Sequence, residues 1–312
     1  MFNSTHTLAG LVVARTGFDR WVPHAAWTAV IAANLPDIDG FTTFWGNPTY
    51  IEYHRGITHT LIGVPVLALV LATIMHLLSG NFRKHFLLAL IVTATHPLLD
   101  FANTYGVRPF LPFTGRWYYG DTLFVIDPFL DLLLIAGLLA SASAMPVRRE
   151  LAACIALVLV AGYLAVRIEL RDAARVRLAE FVQQVPDYER SAVLPRMLTP
   201  HIFTGLVETS DEIFTVDLDI FHGVGTELVR KQKVPMSDIL SKAGLSRTGT
   251  VFNGFARFPL ARIDETGEGY RVTFIDLRYY APETGTGFGG TVVMDESLEV
   301  VDETMGFDQP VD

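Results

Sequence analysis

The sequence predicts a mainly α protein, a multi-pass membrane helical bundle of about six apolar helices, followed by a small C-terminal β-rich domain. Two observations carry this. Half of the 312 residues are hydrophobic and 18% are charged, with a mean hydropathy of +0.35, which is too apolar for an ordinary soluble domain. The apolar residues also crowd the chain before about Leu170, whereas the remainder is mixed, turn-rich and acidic. This contrast divides the chain into a membrane-embedded domain over 1–175 and an extramembrane domain over 176–312.

Residues 5–18 and 21–35 read as two apolar helices joined by the turn Thr16-Gly17-Phe18-Asp19-Arg20. Each falls short of the ~20 residues a spanning helix needs, so the pair is expected as a tilted or re-entrant hairpin. Asn34-Leu35-Pro36-Asp37-Ile38-Asp39-Gly40 breaks the second, and an aromatic loop over 40–56 leads into His54-Arg55-Gly56-Ile57-Thr58-His59-Thr60. The run 57–79 is long enough to span. After a basic loop at Arg83-Lys84, the helix 85–100 returns and ends on His96-Pro97-Leu98-Leu99-Asp100. Pro128 suits the first turn of a helix running to 145; Arg148-Arg149 form a second basic turn, and 150–170 is the last spanning run. Beyond it, alternating apolar residues predict strands at 202–207, 212–221, 251–258, 270–279 and 291–294.

Six reversals sort the charges. His6, Asp37, Asp39, His54, His59, His96, Asp100, Asp121 and Asp127 arrive at one face, and Arg15, Arg20, Arg83, Lys84, Arg148 and Arg149 at the other. By the positive-inside rule the basic turns are cytoplasmic and the His/Asp face points outward. The net charge of -9 argues against nucleic acid as a partner. A single cysteine, Cys154, leaves no intrachain disulfide and no cysteine-based metal site, so any metal must be held by His and carboxylate. The first seven residues carry no basic stretch or cleavage pattern, so no removable signal peptide is expected.

Imidazoles and carboxylates at the mouths of apolar helices are expensive to bury unless something offsets them, and a bound divalent cation is the simplest offset. His96 and Asp100 are four apart and share a helix face. His54 and His59 are five apart, which places His54 in the loop and His59 in the first helical turn. Asp37 and Asp39 would repel each other without a cation between them. A site with two or three ions resolves this; it would acidify water, and with Arg55 it would hold a phosphate-like anion. Each residue also has a structural reading. His6 stands evenly between ligand and hydrogen-bonded structural residue, Asp37 can be a loop carboxylate, Asp127 an N-cap before Pro128, and Asp131 a partner of Asp127 or a transport-type acid.

The succession His6, Leu35-Pro36-Asp37-Ile38-Asp39, His54-Arg55-Gly56-Ile57-Thr58-His59-Thr60 and His96-Pro97-Leu98-Leu99-Asp100 resembles the inner-membrane metal-dependent hydrolase family over about residues 1–145. Its order of His, Asp, His and His-x-x-x-Asp is also similar to the all-helical zinc-dependent phospholipase C and single-strand nuclease group. The resemblance implies hydrolysis of a phosphoester or lipid-borne ester at the inner membrane of a bacterium, with zinc as the metal and membrane lipid as the partner. On that reading His6, Asp37, Asp39, His54, His59, His96 and Asp100 are the metal ligands, Arg55 clamps the anion, and Asp121 or Asp127 acts as base or orienter. The rival expectation is a metal-ion transporter or a non-catalytic metal-binding membrane protein.

Overall fold

The structure, a computed structural model, describes residues 1–142, 146–280 and 285–310. Its helices are α1 (Asn3–Val13), α2 (Ala25–Asn34), α3 (Asn47–Tyr53), α4 (Gly63–Ser79), α5 (Phe82–Phe101), α6 (Pro128–Ser141), α7 (Pro146–Val182), α8 (Asp238–Leu245) and α9 (Arg247–Phe255). Its strands are β1 (Tyr188–Pro195), β2 (Ile202–Thr209), β3 (Glu212–Asp219), β4 (Gly223–Gln232), β5 (Pro259–Thr266), β6 (Gly269–Asp276), β7 (Thr286–Asp295) and β8 (Val300–Pro310). Packing divides the chain into two units. One comprises Met1–Asp39, Arg55–Ala174 and Leu194–Phe203; the other comprises Gly40–His54, Arg175–Val193 and Thr204–Asp312.

The first unit is helical. Val13, Ala29, Leu71, Leu88 and Val92 share one buried cluster, which α1, α2, α4 and α5 build together. Small residues let these helices approach: a Cβ on Gly10 would lie 2.9 Å from Val92 and 3.0 Å from Ala33. In α5 the buried residues His85, Leu88, Ala89, Val92, Thr93, His96, Leu99 and Asp100 recur at helical spacing. One stripe therefore packs the core for most of its length and turns polar in its last turn, which is where the candidate site lies. Away from that turn, Arg15 and Arg149 face Asp19 at 3.5 and 3.6 Å, and Arg20 pairs with Glu150.

The six-span bundle predicted from the sequence does not form. Helices α1, α2, α4 and α6 have 11, 10, 17 and 14 residues; at ~1.5 Å per residue even the longest reaches about 25 Å, short of a ~30 Å hydrocarbon layer. Helix α5 has 20 residues but opens on Arg83 and Lys84 and buries His96 and Asp100. Among the described residues a single helix, Arg148–Val182, is long and apolar enough to cross a membrane; Asn47–His59 with Gly63–Ser79 passes only as one broken span. The apolar helices that suggest spans each pack one face on their neighbours and leave residues such as Leu77, Leu78 and Leu139 exposed, and the fold is α plus β rather than a membrane bundle. The predicted end of α6 at 145 lies outside the described residues.

The second unit holds two four-stranded sheets, in the orders β1-β2-β3-β4 and β5-β6-β7-β8. The second is antiparallel throughout. The strand signals at 202–207, 212–221, 270–279 and 291–294 fall on β2, β3, β6 and β7. The signal at 251–258 does not: residues 251–255 finish α9, whose first turn is capped when the Ser246 side chain accepts from Gly249 N–H at 3.0 Å. The buried set Thr248, Val251, Phe252 and Phe255 has the three-to-four spacing of a helix, and Phe252 stacks on Phe274 of β6 with ring centroids 5.6 Å apart. Helix α3 belongs to this unit, with Asn47 Nδ2 donating to the Met305 carbonyl at 2.7 Å.

Candidate metal centre

Asp37, His59, His96 and Asp100 each present one ligand atom within 4.8 Å of the other three. They come from the 3₁₀ segment Leu35–Trp45 after α2, the short turn Ile57–His59, and the last turn of α5. Nε2 of His96 lies 3.3 Å from Asp37 Oδ1 and 3.3 Å from Asp100 Oδ2. Nε2 of His59 lies 3.5 and 3.4 Å from the same two oxygens.

The partners behind the imidazoles determine what faces the centre. His96 Nδ1 is 2.6 Å from the Ala33 carbonyl, which can only accept, so the proton sits on Nδ1 and Nε2 turns a lone pair inward. Behind His59, Nδ1 is 3.0 Å from the Thr58 hydroxyl, which donates to Asp39 Oδ2 at 2.9 Å. Asp39 Oδ2 also accepts from Arg55 N–H at 3.0 Å. Two imidazole lone pairs then converge on two carboxylate oxygens, an arrangement of acceptors that a shared cation satisfies. Nε2 of His96 is buried from solvent, with these two carboxylate oxygens beside it at 3.3 Å.

Without a cation, protons take its place. Burial alone lowers the His96 pKa, but its hydrogen bonds to Asp100 and Asp37 outweigh that and raise it. His6 goes the other way: burial pushes it down to about 4, the hydrogen bond to Asp100 opposes this, and the His96 imidazole adds to the fall. The two rings stack at 3.6 Å with an 11° tilt, and neighbouring imidazoles resist a shared double charge. Asp100 is 1% exposed. Burial would raise its pKa, yet the Arg55 guanidinium, the Met1 amine and the bonds from His59 and His6 hold it well below the usual carboxylate range.

Both terminal nitrogens of Arg55 are engaged: Nη2 is 2.9 Å from Asp100 Oδ1, and Nη1 reaches Asn103 Oδ1 and the Gly106 carbonyl at 3.1 Å each. Its guanidinium lies 4.4 Å over the Tyr105 ring. Arg55 itself has φ 54°, in the left-handed region, a strained conformation that functional sites often hold.

Of the candidates read from the sequence, the structure brings Asp37, His59, His96 and Asp100 into one group. His6 lies beside them, with Nε2 3.4 Å from Asp100 Oδ1, and Asp39 stands behind His59. His54 caps α3, is buried, and stacks on Tyr50 at 4.6 Å within the second unit. Asp121 is buried in the left-handed region with φ 50°. Its loop is stapled to the end of α5 by Gly120 N–H to the Phe101 carbonyl at 2.7 Å and Thr122 N–H to the Ala102 carbonyl at 2.8 Å. Asp127 caps α6 through Leu130 N–H at 3.0 Å and accepts from Tyr163 at 2.9 Å. Asp131 accepts from Thr5 at 2.7 Å. Sequence reasoning missed Thr58, Asn103, the Ala33 carbonyl and the Met1 amine, which lies against Asp100. Thr58 was visible inside the His54–His59 motif; a backbone carbonyl leaves no side-chain signature.

A comparison with known proteins places these residues in a family. The chain is 27% identical over 299 residues, covering 89% of this chain and 87% of the relative, to the uncharacterised protein YfhP of Bacillus subtilis strain 168. Residues 238–310 match the YfhP C-terminal alpha/beta plait domain. No solved structure matches. The His/Asp centre lies wholly within residues 1–172, which match the model of the YdjM inner membrane protein family, and the chain belongs to that family.

Proposed function

We propose that this protein is a membrane-bound metal-dependent hydrolase acting on a phosphoester or lipid-borne ester. The observation that carries this is the convergence of Asp37, His59, His96 and Asp100, with the His96 imidazole oriented by a carbonyl behind it. Nitrogen and oxygen donors of this kind suit zinc or a similar divalent ion. When bound, such an ion supplies Lewis acidity, polarising an ester oxygen and acidifying water.

The chain's own residues do the rest. Arg55 holds Asp100 in place, so its role in this reading is to position a ligand more than to clamp an anion. Asp39 and Thr58 hold the His59 ring. Asp121, buried in the loop bonded to the end of α5, would serve as the base for a water activated there, and Asp127 orders the same loop by capping α6. The test is to purify the protein in detergent, measure bound metal and assay phosphodiester release before and after His96→Ala. Loss of both supports the proposal; unchanged metal and activity reject it.

The burial of the centre favours a second reading, a metal-binding membrane protein without turnover. His59, His96 and Asp100 are each at most 1% exposed, and a closed four-ligand set is the habit of structural zinc. Bound metal without turnover on any ester would select it.

A further inference from the structure

A cavity of about 600 Å³ opens in the first unit between the start of α4, the C-terminal half of α5 and the loop after it. Leu61, Val64, Leu90, Ala94, Leu98 and Phe110 line it, and His59 of the metal centre forms part of its wall. The volume falls in the ~300–1,000 Å³ range of small-ligand sites. At the start of α4 the polar groups of the lining at Thr60 and Leu61 are already bonded inside the protein. Leu61 N–H donates to the Pro109 carbonyl at 3.1 Å, and the Thr60 hydroxyl donates to the Ile57 carbonyl and accepts from Gly63 N–H, both at 2.8 Å. A sugar, peptide or base would find few partners there, whereas a hydrocarbon chain requires none. Leu61 and Leu98 are 67% and 66% exposed at the rim, apolar surface that a chain would cover.

We propose that this groove takes an acyl chain of a membrane lipid and thereby presents the lipid's ester or phosphoester to the centre at His59. Resting on the hydrolase reading above, this narrows the substrate to lipids and sets aside soluble phosphoesters.

The test uses the full chain reconstituted in phosphatidylcholine vesicles doped with phosphatidylcholine that carries a diazirine on one acyl chain. After photolysis, mass spectrometry maps the labelled residues. The expected result is label concentrated on residues 90–98 and Phe110, most of it lost in Ala94→Trp, which fills the groove. Should that variant unfold, as judged by its melting curve, the rim variant Leu98→Gln is expected to lose label too. Label spread evenly over outward leucines such as Leu77, Leu78 and Leu139, or unchanged in the folded variants, overturns the proposal. Labelling requires no turnover. Groove labelling in a protein that hydrolyses nothing would defeat the hydrolase reading alone, and turnover of a soluble phosphodiester without groove labelling would defeat this one alone.

Discussion

At the scale of single residues, the centre depends on groups that never face it. Ala33 fixes the His96 tautomer, and Arg55 neutralises the buried Asp100 while also contacting Asn103, Gly106 and Tyr105. Arg55→Ala should therefore weaken metal binding about 10–100-fold, the usual effect of losing a residue that supports a ligand. Competition with a chromophoric chelator measures this, and Arg55→Lys should recover only part of it because an ammonium cannot reproduce the planar fork. The pair His96 and Asp100 was legible in the sequence, since a spacing of four in an apolar helix puts both on one face. The pairing of Asp39 with His59 Nδ1, at 3.4 Å, was not, because Asp37 and Asp39 look equivalent in a line of residues and only the turn after α2 separates their roles.

Among the elements, close approach of helices decides whether these residues meet. A Cβ on Gly137 of α6 would come 2.3 Å from Ala156 Cβ of α7. Gly137→Ala should cost about 1–3 kcal/mol by overpacking, despite the higher helix propensity of alanine. A lowered thermal midpoint with the metal-free protein would show it; an unchanged or raised midpoint would mean the helices separate freely. Helix ends with side-chain signals were readable, as with Pro128 behind the Asp127 cap. The stretch 251–258 was misread because Val251, Phe252 and Phe255 satisfy an apolar pattern in either period, and the Ser246 cap that decides for helix lies upstream. Strands β4 and β8 left weak signals since charged residues such as Arg230, Lys231, Asp302 and Glu303 occupy them, as suits strands at a sheet edge.

On the scale of the whole molecule, membrane attachment rests on one helix. Total hydrophobicity was easy to read, but it could not distinguish helices that face lipid from helices that face each other; length and composition together resolve this, and only α7 has enough of both among the described residues. Val158 and Leu159 of α7 are 70% and 53% exposed. Replacing both with arginine should impair insertion, at roughly 2.5–3.5 kcal/mol per charge near a bilayer centre. Carbonate extraction of membranes reads this directly: the parent chain should stay in the pellet and the double variant should leave it, whereas equal retention would assign anchoring elsewhere.

The central claim is that Asp37, His59, His96 and Asp100 share a cation. Elemental analysis of the detergent-purified full chain, prepared without chelator, tests it most directly. The account predicts zinc or a similar divalent metal at one or more ions per chain, with the ion lost in His96→Ala while the fold persists. A folded parent chain that carries no metal and takes up none when zinc is added would contradict it.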